Sequence, residues 1–534
     1  MADWISQHRY RFLIVVCVYF AIHVLVRVSV SSSLDFDETE QVFLSQWTLL
    51  GYNSQPPLYT WMQQGLFRVL GYNVFSLALL KNSLLLLTYV TVFELVRKTT
   101  DNTKLAVLAS LGMLTIPQIA YESHRDLSHT VSVTLATAAL MYCVVSVEKC
   151  DRLFWYLAIG VTSAFGMMSK YNFAIILVAI AISAITIPSY RRRLLDWRLG
   201  WSLLVGLLFI APHSVWMLNH PLLVSSKTVK TLTTDQSIHW LANVGSGMQA
   251  LVLSTLACCA VTLAVFTIAY RDSIIGYFRD RDETAMESIA SFRPTALLIE
   301  RFFLVIAMAL VLLVLSGQAL EFRNRWIQPF VCLLPAYLVL RFGGIGIADR
   351  VGFQRMVLTS VLLMVFVLSA VSSRPLLARF RQKYLLLNVP FDSFAETMRD
   401  RCGYDPELII TPNMRIAGNM KMQFPTSLVL SMDTPYLLGR DLSPERIRRR
   451  SNRTVVVTDF ADPGSLERLA DFTYQTLQQD SESVCWQTIG HPYLHGDPES
   501  RSEFTFARLD DPLRHVGPVE STASVSDRIP PTRR

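Results

Sequence analysis

Four carboxylates fall within six residues in the segment Leu34-Asp35-Phe36-Asp37-Glu38-Thr39-Glu40. A carboxylate can take a proton from a hydroxyl or hold a hard divalent cation, and such crowding directly after an apolar run is costly unless the acids are solvated, paired or functional. The segment continues through Gln46-Trp47 to Tyr52-Asn53-Ser54-Gln55-Pro56-Pro57-Leu58-Tyr59-Thr60-Trp61. Pro56 and Pro57 interrupt any helix, and Tyr59 and Trp61 suit the headgroup level of a bilayer. The pattern predicts short amphipathic helices lying along an interface, with Asp37 and Glu38 as candidate reacting carboxylates. A solvated acidic loop is the plain alternative. An acidic site on a lipid-level platform fits a substrate that is itself a lipid.

Three further segments carry ionisable residues in patterns that could do chemistry. Glu122-Ser123-His124-Arg125-Asp126-Leu127-Ser128-His129 offers a second acid, Asp126, next to Arg125; the two could simply pair. Ser169-Lys170-Tyr171-Asn172 sets a lysine between two apolar runs, where it either snorkels or binds an anion. Glu321-Phe322-Arg323-Asn324-Arg325-Trp326 holds two arginines whose guanidinium forks match phosphate oxygens bidentately.

These segments need elements to position them. The 534 residues are 51% hydrophobic and 17% charged, and the apolar residues come in long blocks. A helix of about 18 or more apolar residues crosses the ~30 Å hydrocarbon layer. Window hydropathy predicts about eleven spans, near 12–31, 75–97, 104–121, 129–147, 153–169, 171–188, 199–218, 241–269, 302–319, 326–341 and 355–373. Alternate loops hold Arg97 and Lys98, Lys149 and Arg152, Arg191 to Arg193, and Arg350 and Arg355, which places those loops and the N-terminus in the cytoplasm. The net charge of +7 is thereby accounted for without a nucleic-acid partner. All four chemistry-bearing segments then share the opposite face, a convergence that unrelated loops would not produce.

Beyond about residue 385 the pattern changes. Strand-like runs at 407–411, 427–430, 454–458 and 504–509 alternate with helical ones at 391–401, 413–422 and 464–478, which predicts a small α/β domain over 385–513 after a membrane domain over 1–375. An odd number of spans puts this domain outside, and residues 514–534 read as disordered. Five of the eight cysteines, Cys17, Cys143, Cys258, Cys259 and Cys332, lie in spans as packing residues. Cys402 and Cys485 are the two in the polar C-terminal region, which makes a disulfide between them an expectation in an oxidising compartment. Asn452-Arg453-Thr454 is a glycosylation sequon by pattern alone.

Asp37-Glu38-Thr39 after the first span, Gln55-Pro56-Pro57-Leu58, Arg125-Asp126, Gly166…Ser169-Lys170-Tyr171, Pro212-His213…Trp216…Asn219 and Arg325-Trp326-Ile327-Gln328-Pro329 occur in this order. The set resembles bacterial GT-C glycosyltransferases of the dolichyl-phosphate-mannose–protein mannosyltransferase-like group, which includes lipid A aminoarabinose and rhizobial galacturonic acid transferases. The likeness covers roughly residues 10–375. It implies a polytopic helical membrane fold and transfer of a sugar from a polyprenyl-phosphate donor to an envelope lipid or polysaccharide acceptor, on the periplasmic face of the inner membrane. The family's first-loop aspartate maps onto Asp37 and its second-loop acid onto Asp126. Gln55 departs from relatives that carry Lys or His there.

The residues support the same mechanism. Lys170, Arg323 and Arg325, with Arg125, could stabilise a departing phosphate, and Asp37 could deprotonate an acceptor hydroxyl, with inversion at the anomeric carbon. Gln55, Pro56, Pro57, Tyr59, Trp61 and Tyr171 would line the substrate side. A divalent Mg²⁺ or Mn²⁺ at Asp37 and Asp126 remains an alternative to purely cationic side chains. Rival readings are a transporter or flippase, which would place charge at mid-membrane, and a non-catalytic assembly partner for envelope glycans.

Overall fold

The computed structural model describes residues 2–223, 240–271, 275, 283–342, 350–437, 447, 453–459, 462–477 and 485–509. The chain divides into two compact units, Met1–Val389 with Leu494–Asp497, and Pro390–Tyr493 with Pro498–Arg534.

The first unit is helical: α1 (Ala2–Gln7), α2 (Arg9–Val30), α3 (Phe36–Leu44), α4 (Leu58–Leu70), α5 (Val74–Thr100), α6 (Thr103–Gly112), α7 (Ser123–Arg125), α8 (Ser128–Lys149), α9 (Leu153–Ser169), α10 (Phe173–Ile185), α11 (Pro188–Leu194), α12 (Leu199–Asn219), α13 (Trp240–Ala269), α14 (Glu283–Leu315), α15 (Asn324–Val331), α16 (Leu334–Phe342) and α17 (Arg350–Leu376). Seven of the described helices, α2, α5, α8, α12, α13, α14 and α17, are long and apolar enough to cross a bilayer, and two bent pairs bring the number to as many as nine. The shorter apolar α9 packs along α8 and α12.

Three of the expected spans are broken. The run expected at 104–121 bends by 76° between the segments Thr103–Thr115 and Gln118–Arg125, where Pro117 lacks the N–H that would continue the ladder. The run at 171–188 bends by 116° before Pro188, which starts α11. The run at 326–341 is two helices, α15 and α16, separated at Cys332-Leu333. Hydropathy reports apolar length and is blind to these bends.

α8 is enclosed by other helices over 89% of its apolar window, whereas α12 is enclosed over 17%. One face of α12 packs on α9, and the other, with Leu204, Leu207, Leu208 and Phe209, is apolar and exposed, as suits a lipid-facing surface. Gly160 lets the two backbones approach, since a Cβ there would meet the Ser202 carbonyl oxygen, and the Ser202 hydroxyl donates to the Tyr156 carbonyl at 2.6 Å.

The second unit is a five-stranded sheet of order β2-β1-β3-β5-β4, with β1 (Leu408–Thr411), β2 (Leu428–Ser431), β3 (Thr454–Thr458), β4 (Gln487–Pro492) and β5 (Arg501–Arg508). β1 pairs in parallel with β2 and β3, and β5 runs antiparallel to β3 and β4. Helices α18 (Phe391–Cys402), α19 (Met414–Gln423) and α20 (Pro463–Leu477) accompany it. The expected strands and helices are all present to within a few residues; β4 was not anticipated, because its half-exposed QTIGHP lacks an apolar stripe.

The expected disulfide does not form. Cys402 is buried where α18 ends and Cys485 is exposed ahead of β4, and no disulfide joins them. The 514–534 tail, Asn452 of the sequon and most of the 219–240 loop lie outside the described residues.

Candidate active site

The first of the four segments folds as a capped helix. Asp35 is the N-cap of α3: its side chain accepts from the Phe36 N–H at 3.0 Å, and Glu38 reaches back to the Asp35 N–H at 2.9 Å. This reciprocal pattern satisfies N–H groups that a helix start otherwise leaves unpaired. Glu38 also grips Arg27 through two hydrogen bonds of 2.6 and 3.0 Å, and Arg374 stands 3.8 Å from Asp35. Burial alone would raise the Glu38 carboxyl, but the Arg27 charge and hydrogen bonds outweigh it and hold Glu38 below the usual range. For Asp35, burial and the neighbouring Glu38 charge prevail over Arg374 and push it up. Glu38, expected beside Asp37 among the reacting groups, is therefore a buried structural carboxylate and does not line the cavity described below.

Asp37, one residue before Glu38, faces elsewhere. Its Oδ2 accepts from the Ser128 N–H at 2.8 Å, at the first residue of α8. Leu127 makes this possible by adopting a left-handed conformation, φ +72°, which reverses the chain just before α8. A leucine pays about 1–2 kcal/mol for that conformation. Asp126, on the near side of the turn, is half-buried and has an Oδ1 with no hydrogen-bond partner among the described residues. Burial first, then the charges of Asp35 and Asp37, raise its carboxyl to about 6.

A cavity of about 450 Å³ collects all four chemistry-bearing segments. Asp37, Glu40, Ser54 and Gln55 come from the first, Leu127, His129 and Thr130 from the second, Lys170, Tyr171 and Asn172 from the third, and Arg323, Arg325 and Trp326 from the fourth. Lys170 caps the C-terminal end of α9, and its ammonium donates to the Thr130 hydroxyl at 3.1 Å. Burial and the nearby Arg325 lower it to about 7, against the pull of Asp37. Arg323 has a loose partner in Glu321 at 3.8 Å, and Arg325 makes no salt bridge among the described residues. An apolar cavity of about 270 Å³ between α13, α14, α15 and α16 shares Leu310, Ile327 and Phe330 with the first one.

Buried hydrogen bonds tie the segments together. The Thr60 hydroxyl donates to Gln41 Oε1 at 2.8 Å, which turns the Gln41 amide nitrogen toward His129 Nε2 at 3.3 Å. His129 Nδ1 in turn lies 3.3 Å from the Ser169 carbonyl. A carbonyl only accepts, so Nδ1 carries the ring proton and Nε2 receives the Gln41 N–H. This chain of three side chains and a backbone carbonyl links α4, α3, α8 and the end of α9, next to Lys170.

Other anticipated residues are nearby but do not line the cavity. Arg125 pairs with Glu122 at 3.2 Å, and its carbonyl faces the buried Lys81 ammonium at 3.5 Å. Pro56 and Pro57 are buried at the start of α4, where Pro57 is its N-cap. Tyr59 is fully buried, and Trp61 donates its indole N–H to the Leu49 carbonyl at 2.8 Å. These four shape the platform under Gln55. Glu40, Ser54, His129, Thr130, Asn172 and Trp326 were missing from the sequence-based set; each is a near neighbour of a residue that was in it. Asp37 and Asp126 were also the candidates for a divalent cation, and among the described residues no three His, Cys, Asp or Glu side chains are grouped to hold one.

An acid opposite a pair of cations, beside an apolar recess, is a site for handling an amphipathic anion. Comparison with known proteins agrees. Over 496 residues the chain is 31% identical to the lipopolysaccharide core galacturonosyltransferase RgtB of Rhizobium johnstonii, covering 92% of this chain and 96% of that one. The chain belongs to this family of bacterial GT-C glycosyltransferases. RgtA of the same organism, also a lipopolysaccharide core galacturonosyltransferase, is 29% identical over 454 residues, 84% of this chain and 88% of its own. The profile of the dolichyl-phosphate-mannose-protein mannosyltransferase family matches residues 54–216, the stretch from Ser54 in the cavity to Trp216 in α12. ArnT from Cupriavidus metallidurans has the same fold: the apo structure superposes with a TM-score of 0.58 at 10% identity, over 93% of this chain and 97% of that one. The structure of ArnT bound to undecaprenyl phosphate superposes with a TM-score of 0.54 at 11% identity, over 93% and 98%. This GT-C chain is thus a polytopic membrane glycosyltransferase, and neither a transporter nor a non-catalytic partner.

Proposed function

We propose that this glycosyltransferase moves a sugar from a polyprenyl-phosphate donor to a saccharide of the lipopolysaccharide core on the periplasmic face of the inner membrane. The observation that carries this reading is the adjacency of the two cavities: Lys170 and Arg325 stand in a charged chamber whose wall at Leu310, Ile327 and Phe330 is also the wall of an apolar recess. A phosphate held by the two cations would leave its isoprenoid tail in the recess. The relatives named as core galacturonosyltransferases make a galacturonosyl donor the first to try.

In this mechanism Asp37 accepts the proton of an acceptor hydroxyl while that oxygen attacks the anomeric carbon from the side opposite the phosphate. The carbon–oxygen bond to phosphate breaks, polyprenyl phosphate departs with the bonding pair, and the anomeric configuration inverts. Lys170, Arg323 and Arg325 stabilise the charge that grows on the leaving phosphate. The hydrogen bond from Ser128 to Oδ2 orients the Asp37 carboxylate, leaving Oδ1 for the acceptor. The N-terminus in the cytoplasm and residues 390–493 in the periplasm complete the arrangement, supported by the basic loops of the opposite side.

The test is mass spectrometry of core oligosaccharide from a deletion strain complemented with the wild-type gene or with Asp37→Asn. Wild type is expected to restore one sugar-sized mass and Asp37→Asn is expected not to. A core of unchanged mass in the deletion strain refutes the reading.

A further inference from the structure

The acids of α3 are divided between two tasks. Asp35 and Glu38 are taken up by the N-cap and by Arg27, whereas Asp37 and Glu40, three positions apart on one face of the helix, both line the chamber. The mechanism uses Asp37 and leaves Glu40 without a duty. Glu40 has one hydrogen-bond partner among the described residues: its Oε1 accepts from Asn53 Nδ2 at 2.6 Å. Asn53 Oδ1 is engaged by the Gln55 N–H at 2.8 Å. A backbone N–H can only donate, so the amide nitrogen of Asn53 is the atom turned to Glu40. This tether joins α3 to the 53–55 loop, of which Ser54 and Gln55 also line the chamber.

The second carboxylate oxygen, Oε2, makes no hydrogen bond and no salt bridge among the described residues, and it is not one of the buried atoms sealed from solvent. An ionised carboxylate only accepts, so what this oxygen takes from a ligand is an O–H or N–H. The same charge repels the phosphate of the donor, for which Lys170 and Arg325 are the fitting partners. Of the groups that a glycosyl transfer brings into the chamber, the hydroxyls of a sugar remain. Asp37 and Glu40 are about 4.5 Å apart along the helix axis, a separation that hydroxyls on one pyranose ring span.

We propose that Glu40 turns Oε2 into the chamber and binds a second, non-reacting hydroxyl of the acceptor sugar, with Asn53 as the residue that positions it. The proposal rests on the transferase reading above. An acceptor gripped only at its reacting hydroxyl is free to rotate about that one contact; a second grip one turn along α3 fixes the ring against Asp37. Glu40 is then a specificity-determining residue and makes or breaks no bond. Its tether separates this role from a purely structural one. Glu40→Gln keeps an oxygen for Asn53 and puts an amide NH2, a donor, where Oε2 accepted.

The experiment uses full-length enzyme in lipid nanodiscs, an undecaprenyl-phosphate-linked galacturonosyl donor, and a core oligosaccharide acceptor together with those of its monodeoxy derivatives that keep the reacting hydroxyl. Glu40→Gln is expected to raise the acceptor KM about tenfold, with the donor KM and the unfolding temperature unchanged. Wild type is expected to lose about as much on one particular monodeoxy acceptor, and Glu40→Gln to lose nothing further on it. Glu40→Asp, which keeps the charge and shortens its reach, is expected to fall between the two. A folded Glu40→Gln enzyme with the wild-type acceptor KM overturns the proposal. So does a rise in donor KM in its place, which moves the bound hydroxyl to the donor sugar. Wild type that uses every monodeoxy acceptor like the parent overturns it as well, whatever the variants do. A wild-type enzyme that binds undecaprenyl phosphate and transfers no sugar overturns the transferase reading itself, and the role of Glu40 with it.

Discussion

At the scale of single residues, neighbouring acids have opposite duties. Asp37 faces the cavity and Glu38 faces Arg27, so conservative changes at the two should fail differently. Asp37→Asn keeps the hydrogen bond to Ser128 and is expected to lower kcat about 100-fold or more with donor affinity intact. Glu38→Gln leaves a buried guanidinium without its counter-charge, a loss of about 3 kcal/mol, and is expected to appear as a lowered unfolding temperature in detergent. Lys170 gives the site a pH signature. It is charged below about 7 and neutral above, so affinity for undecaprenyl phosphate should be highest on the acid side and fall as pH rises through neutrality. Lys170→Arg, which stays protonated, should flatten that profile; native mass spectrometry of the bound lipid between pH 6 and 9 reads both. The sequence singled out Asp37 and Glu38 among the four carboxylates; that Asp37 and Glu40 line the cavity while Glu38 turns to Arg27 was not legible, because it depends on the capping geometry at Asp35. It likewise pointed to Lys170, Arg323 and Arg325, whose isolation among apolar or outward residues was itself the signal.

At the scale of elements, the broken spans matter most. A helix that ran straight through Pro117 would carry Asp126 and Leu127 past the cavity instead of turning at Ser128 into α8. Hydropathy found the apolar stretches, and it missed the breaks because a kink hardly alters average apolarity. The same limit hid the division of α15 from α16, which puts Arg325 at the chamber and Leu334 on the apolar recess. The contact between α9 and α12 is a tighter constraint. Gly160→Ala would push a methyl into the Ser202 carbonyl, and a cost of about 1–3 kcal/mol is expected, checked by thermal unfolding of the purified protein. Because α9 ends at Lys170, donor kinetics should worsen in that variant.

At the scale of the whole molecule, sidedness can be read from two thiols that form no disulfide. Cys150, between α8 and α9, and Cys485, before β4, are both exposed. A membrane-impermeant maleimide added to intact spheroplasts is expected to label Cys485 at once and Cys150 only after permeabilisation; the reverse order would invert the proposed topology. The two-unit organisation and most of the small sheet were legible from short strand-like apolar runs alternating with helical ones, whereas the fastening of the chain was not, because it consists of hydroxyl–carbonyl bonds between distant positions. The Ser31 hydroxyl donates to the Leu387 carbonyl at 2.6 Å and the Ser33 hydroxyl to the Val389 carbonyl at 2.5 Å, each across 356 residues. Both serines immediately precede the cap of α3. At a synthesis rate of about 5–20 residues per second, the ribosome takes roughly 20–70 s to make that intervening stretch. The segment bearing Asp37 must therefore wait in the translocating chain, threaded but unfastened, until the last span has been inserted. Asp37 is among the first parts of this enzyme to be made and among the last to be locked in place.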